Sequence, residues 1–180
     1  MRHTIDLPFR YIEHLEAQAA LELRFLAVHL GIPPHWLTAV IAHETAGTFA
    51  PDICSGGKRW GELPEDDRIK RAVGLIQWTH TGCAELTRLE GKPIDKARLA
   101  AMSQSEQMRM VSRWYEKWRG KIVTLGDCYA VVFWPAAVGK GDSYVLPLDA
   151  REYALNKGLD LNKNGVVTLG ELERRVAAWL

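Results

Sequence analysis

Two stretches of the chain carry oxygen-bearing side chains at spacings that suit chemistry. In the first, LTAVIAHETAGT from Leu37 to Thr48, the residues Leu37, Val40, Ile41 and Glu44 fall on one helical stripe at i, i+3, i+4 and i+7. A carboxyl therefore stands in a slot that packing normally gives to an apolar group. Desolvation raises a carboxyl pKa, and an acid that keeps its proton near neutrality suits a departing glycosidic oxygen. The competing reading is a rotation of the last helical turn that lets Glu44 reach water. In the second stretch, DLNKNGVVTLGE, Asp160, Asn162, Asn164, Thr168 and Glu171 occupy positions 1, 3, 5, 9 and 12 of a loop with Gly165 at position 6. That is the pattern of a calcium loop, in which Val166 adds its backbone carbonyl and Glu171 binds through both oxygens. Thr168 with Glu171 would equally serve as a capping box, and Asn-Lys-Asn-Gly as a turn.

Helices are expected to position both stretches. Ile12, Leu15, Ala19, Leu23, Leu26 and Leu30 predict one long core helix ended by Gly31, and Pro33-Pro34 starts the helix that carries Glu44, with Gly47 beyond it. Residues 50–70, rich in Pro, Gly, Asp and Glu, read as a long loop. Capping pairs Ser103/Glu106, Thr124/Asp127, Asp149/Glu152 and Thr168/Glu171 predict four more helices, the second broken by Pro135. Nothing alternates at period two for long enough to demand a sheet, so the fold class is mainly α.

Composition narrows the functional classes. Across 180 residues, 23 Lys and Arg stand against 22 Asp and Glu, so no field of one sign draws the chain to nucleic acid or anionic lipid. No segment is long and apolar enough for a membrane span, and the first 30 residues show no signal-peptide core. Cys54, Cys83 and Cys128 read as buried thiols, and His35, His43 and His80 as packing residues without metal-ligand spacing. Of the seven tryptophans, Trp60, Trp78 and Trp134 are candidates to stack on sugars, while Trp114, Trp118 and Trp179 follow helical periods.

Thirty residues after HETAGTF comes Ala72-Val73-Gly74-Leu75-Ile76-Gln77-Trp78, and later Cys128-Tyr129-Ala-Val-Val-Phe-Trp134-Pro135. On these motifs the chain, from about Leu30 to its end, resembles the lysozyme-like lytic transglycosylases, some of which append a single EF-hand. The resemblance implies a lysozyme-like domain over residues 1–147 and a calcium-binding helix-loop-helix over 148–180. It also implies a muramidase that cuts peptidoglycan between N-acetylmuramic acid and N-acetylglucosamine, with Glu44 as the acid and then the base. Thr45, Gln77, Trp78, Tyr129 and Trp134 would meet substrate, Tyr129 facing the carboxyl. Thr45 replaces the family's usual serine, and FWPAAVG replaces an asparagine-containing turn.

With one carboxylate, the substrate's acetamido group assists and an anhydro ring closes; a second carboxylate, for which Asp52 and Glu62 are candidates, would activate water instead. The HET and GLIQ pairing also resembles inverting chitinase-like endolysins, and a noncatalytic glycan-binding protein with a calcium loop is the rival outside enzymes. A chain made in the cytoplasm without a signal peptide yet acting on the cell wall is expected to be a phage lysin, a phage tail part or an interbacterial toxin with an immunity protein. A monomer is expected. Because Asp160 and Glu171 are the calcium loop's only formal charges, its expected Kd is on the order of 10⁻⁵ to 10⁻³ M. Titration calorimetry should find one site in that range; nanomolar binding, or none, would refute the reading.

Overall fold

Glycine and proline set the ends of the first two helices. Helix α1 (Ala17–Leu30) stops at Gly31, whose left-handed backbone (φ 75°) turns its N–H back to the Ala27 and Val28 carbonyls. Helix α2 (Pro34–Glu44) starts with Pro34 in its first turn, where a missing N–H costs nothing. The computed structural model describes residues 10–180, so the N-terminal reading over residues 1–9 lies outside them. Among the described residues the chain is mainly α, with nine α-helices and only isolated β-bridges.

The single helix expected from Ile12 is split. Ile12–His14 forms one 3₁₀ turn and Leu15 and Glu16 are extended before α1 begins. The cause is Gln104: its amide oxygen accepts the Glu16 N–H at 2.7 Å and its amide nitrogen donates to the His14 carbonyl at 2.9 Å. Backbone groups that a continuous helix would pair are paired from outside.

The 50–70 segment is not wholly irregular either. It holds a 3₁₀ turn at Trp60–Glu62 and helix α3 (Glu65–Lys70), whose first turn has Glu65, Asp66 and Asp67 and whose last has Arg68 and Lys70, a charge order that suits the helix dipole. Two further helices were not foreseen, α4 (His80–Glu90) and α5 (Lys96–Ala100). Thr79 and Asp95 cap them through the N–H groups of Gly82 and Arg98.

All four predicted capping boxes form with reciprocal hydrogen bonds. They open α6 (Gln104–Tyr115), α7 (Leu125–Phe133), α8 (Ala150–Asn156) and α9 (Leu169–Ala177). Helix α7 ends before Pro135, which cannot supply the N–H that Val131 would need four residues on; the Trp114 indole donates to that carbonyl at 2.9 Å instead. Tyr115, fully buried beside it, donates its hydroxyl to the Cys128 carbonyl at 2.9 Å. Thus α6 grips α7, while α1 lies along α6 and α2, and α9 packs along α7.

One buried cluster runs through the described residues from Leu15 to Val176. Leu159, Val167, Leu169, Leu172 and Val176 belong to the same core as Leu23, Leu37, Leu86 and Val131, so the boundary expected at 147/148 crosses continuous packing. The three cysteines are free and buried within it.

Gln107, on the core side of α6, ties the irregular segments to this frame. It accepts the Leu75 N–H at 3.0 Å and donates to the Pro51 and Leu99 carbonyls, both at 2.6 Å. Gly74 must be glycine here: its φ is 87°, and a Cβ would strike the Gln107 amide. Gln107→Leu strands the buried Leu75 and Leu99 backbone groups and the half-buried Pro51 carbonyl, and the expected loss is about 3 kcal/mol or more, read as a lowered urea midpoint.

Candidate active site

Glu44 is the last residue of α2, and Thr45 caps the helix end. The threonine hydroxyl donates to the Ile41 carbonyl at 2.7 Å and accepts the Phe49 N–H at 3.1 Å. Ala46, Gly47 and Phe49 then adopt left-handed backbone, which turns the chain sharply away and leaves Glu44 partly buried at the corner. The side chain therefore stays on the stripe and does not rotate out to bulk water.

Tyr129, on the inner side of α7, donates its hydroxyl to the Glu44 carboxyl. Burial raises the Glu44 pKa to about 7, against which the tyrosine bond pulls weakly downward. Tyr129 itself is pushed well above its ordinary range by burial and by the neighbouring carboxylate, so it remains a donor. His43 sets its ring edge-on to Tyr129, centroids 5.1 Å apart, and burial followed by the charge of Arg175 lowers its pKa to about 4. The imidazole is thus neutral wherever Glu44 titrates. The arrangement is a protonated acid near neutrality, oriented by a phenol, without a cation against it among the described residues.

The structure brings Glu44 and Tyr129 together and distributes the other candidates differently. Thr45 is 1% exposed with its hydroxyl spent on the backbone, so it shapes the corner and does not face a ligand. Trp78 is 2% exposed and packs edge-on against Trp114, so it has no free face for a sugar ring. Gln77 is partly buried with φ 52°; its amide donates to Ile53 and Gly74 carbonyls at 3.2 and 3.0 Å, while its oxygen has no partner. That oxygen is an unspent acceptor among the described residues, but it is buried away from solvent. Trp134 terminates α7, partly buried against the core, one residue past Phe133, whose ring lies 5.8 Å from Tyr129.

Neither candidate for a second carboxylate is at liberty. Asp52 pairs with Arg59, and Glu62 accepts the Arg59 N–H at 2.9 Å to close the Trp60 turn. Trp60 and His80 line a separate cavity of about 680 Å³ between α3 and α4.

The Asp160–Glu171 loop adopts the turns its sequence implies, with Gly165 at φ 90°. Asp160 and Glu171 are 5% and 0% exposed, and neither pairs with a basic side chain among the described residues. Glu171 accepts the N–H groups of Leu161 and Thr168, and Asp160 those of Asn164 and Gly165 and the Tyr153 hydroxyl. No cluster of three His, Cys, Asp or Glu side chains exists among the described residues. The loop's remaining donors are amide, hydroxyl and carbonyl oxygens, so Asp160, Asn162, Asn164, Val166, Thr168 and Glu171 fit a hard divalent cation and not a soft metal.

Several positioning residues escaped the sequence reading. Gln104 holds the Phe49 carbonyl at 2.8 Å, and with Gln107 it fixes the segments on either side of the acid. The available signal was the one that exposed Glu44, since both amides sit with Met108, Val111 and Tyr115 on the buried face of α6. Comparison with protein-family models, curated proteins and solved structures finds no match to this chain.

The raised Glu44 pKa has a consequence for stability. Below about pH 4.5 both folded and unfolded chains hold the proton; between there and about pH 7 the unfolded chain gives it up first, so stability falls as pH rises. Glu44→Gln removes that slope, on the order of 3 kcal/mol at most. The variant should match the parent in urea at pH 4 and exceed it at pH 8; equal midpoints at both would refute a raised pKa.

Proposed function

We propose that the protein is a muramidase of lysozyme-like fold that cleaves the glycan strand of peptidoglycan. The observation that carries this reading is a single partly buried carboxyl, displaced to a pKa of about 7 and hydrogen-bonded by Tyr129. Such a group donates its proton to the glycosidic oxygen between N-acetylmuramic acid and N-acetylglucosamine as that bond breaks. With Asp52 and Glu62 occupied by Arg59, the substrate's own acetamido oxygen is the nucleophile at the anomeric carbon. The Glu44 carboxylate then takes the proton of the muramyl C6 hydroxyl as that oxygen displaces the acetamido group and closes the 1,6-anhydro ring.

The loop from Asp160 to Glu171 holds one calcium ion in this reading, as a single EF-hand, supplying positive charge to two carboxylates that have no basic partner among the described residues. No described helix is long and apolar enough to cross a membrane. The site of action is the periplasm or cell wall, reached by phage release, as part of a phage tail or by contact-dependent delivery, the last with an immunity protein as partner.

The alternatives separate at one residue. Glu44→Gln should fold, and should lower release of soluble fragments from purified cell walls by about 10³-fold or more. A noncatalytic binder would be indifferent to the change. Mass spectrometry of the parent's products should show anhydromuramyl ends. Reducing ends would point to activated water, and cleavage of chitin alone to the chitinase-like reading.

A further inference from the structure

Two residues beyond α9, Trp179 is partly buried against the turn that leaves Glu44. A Cβ placed on Gly47 would lie 3.3 Å from the six-membered ring of the indole, so the backbone of that turn passes close against it. The indole meets the His43 ring edge-on with centroids 6.4 Å apart, and His43 meets Tyr129 edge-on at 5.1 Å. On its far side Trp179 packs against Tyr11, 5.8 Å away. Three rings in series, from the C-terminal helix to the phenol that bonds Glu44, form a continuous brace. The same helix grips α7 at its start, where Glu173 accepts the Gly126 N–H at 3.0 Å.

We infer that Trp179 is a positioning residue for Glu44: it presses His43 against Tyr129 and shields the turn after the acid from water. Its catalytic consequence rests on the muramidase reading, but the shielding itself does not. The ionisable groups facing Glu44 are Tyr129 from α7, Tyr115 from α6, His43 from α2 and, through His43 and Tyr129, Arg175 from α9. Loss of the indole has two opposed effects. Water at the turn weakens the desolvation that raises the Glu44 pKa, and a loosened Tyr129 removes a bond that lowers it. Desolvation is the larger cause, so the net change is downward.

The test uses the full chain with calcium present, as the parent, Trp179→Ala, Trp179→Leu and Trp179→Phe. The Glu44 side-chain carboxyl is titrated by ¹³C NMR without substrate, and wall lysis is followed across pH. The alanine and leucine variants should titrate about one unit lower, with the alkaline limb of lysis shifted alike and kcat down about tenfold at little-changed KM. Trp179→Phe, which keeps an edge-on ring, should restore most of the difference. A folded leucine or alanine variant whose Glu44 titrates as in the parent overturns the inference. If the titration shifts but the parent never lyses walls, the brace stands and the muramidase reading falls.

Discussion

The site depends on the contest between burial and the Tyr129 hydrogen bond at Glu44. Burial alone would keep the carboxyl protonated so firmly that it could not serve as a base. The phenol moderates this, because a donor stabilises the anion, and its own pKa is driven far enough up that it cannot surrender its proton to the carboxylate. The same contact therefore suits both halves of the proposed reaction. It donates to the carboxyl while the proton is held and, once the proton has gone, to the anion. His43 contributes by staying neutral, since an imidazolium beside Glu44 would pull its pKa back toward that of an ordinary carboxylate.

Holding that carboxyl at a corner requires a sharp turn and a long stretch of irregular chain, where the described residues offer only isolated β-bridges to satisfy the backbone. Side-chain amides take over the task. Gln104 and Gln107 bond Glu16, His14, Phe49, Pro51, Leu75 and Leu99, and Gln77 bonds Ile53 and Gly74. Buried backbone polar groups must be paired, and where no ladder exists the pairing falls to residues that carry both a donor and an acceptor. This is why three glutamines, residues ordinarily met on surfaces, are built into the frame around the acid.

What was legible in the sequence was what acts within four residues. The four capping boxes, the Gly31 stop, the Pro34 start and the placement of Glu44 on a buried stripe all follow from local spacing. Helices α4 and α5 escaped because Gly82 and Arg98 stand where a capping box has Glu or Gln, so Thr79 and Asp95 cap without that signature. The break at Leu15 was invisible because its cause, Gln104, lies 88 residues from its partner Glu16. Thr45 and Trp78 show the same limit from the other side. Their residue types suit a sugar cleft, but the ring of Trp78 is turned inward by Trp114, 36 residues on, and the Thr45 hydroxyl is spent on Ile41 and Phe49 in a turn with no capping-box signature.

The C-terminal loop is braced by the segment before α8: the Val167 carbonyl accepts the Leu146 N–H at 2.8 Å, and Leu169 and Gly170 donate to the Tyr144 and Asp142 carbonyls. An ordinary connecting segment thus holds one side of the loop in place. A cation bound with Kd of about 10⁻⁵ to 10⁻³ M would add between about 0.4 and about 2.7 kcal/mol at millimolar calcium, and almost nothing at cytosolic levels. That increment enters through Glu171, at the start of the helix that carries Glu173 to α7 and leads to Trp179 beside His43. On the proposed reading, calcium outside the cytoplasm would therefore firm the wall of the acid itself, and a chain still in the cytoplasm would carry the looser form.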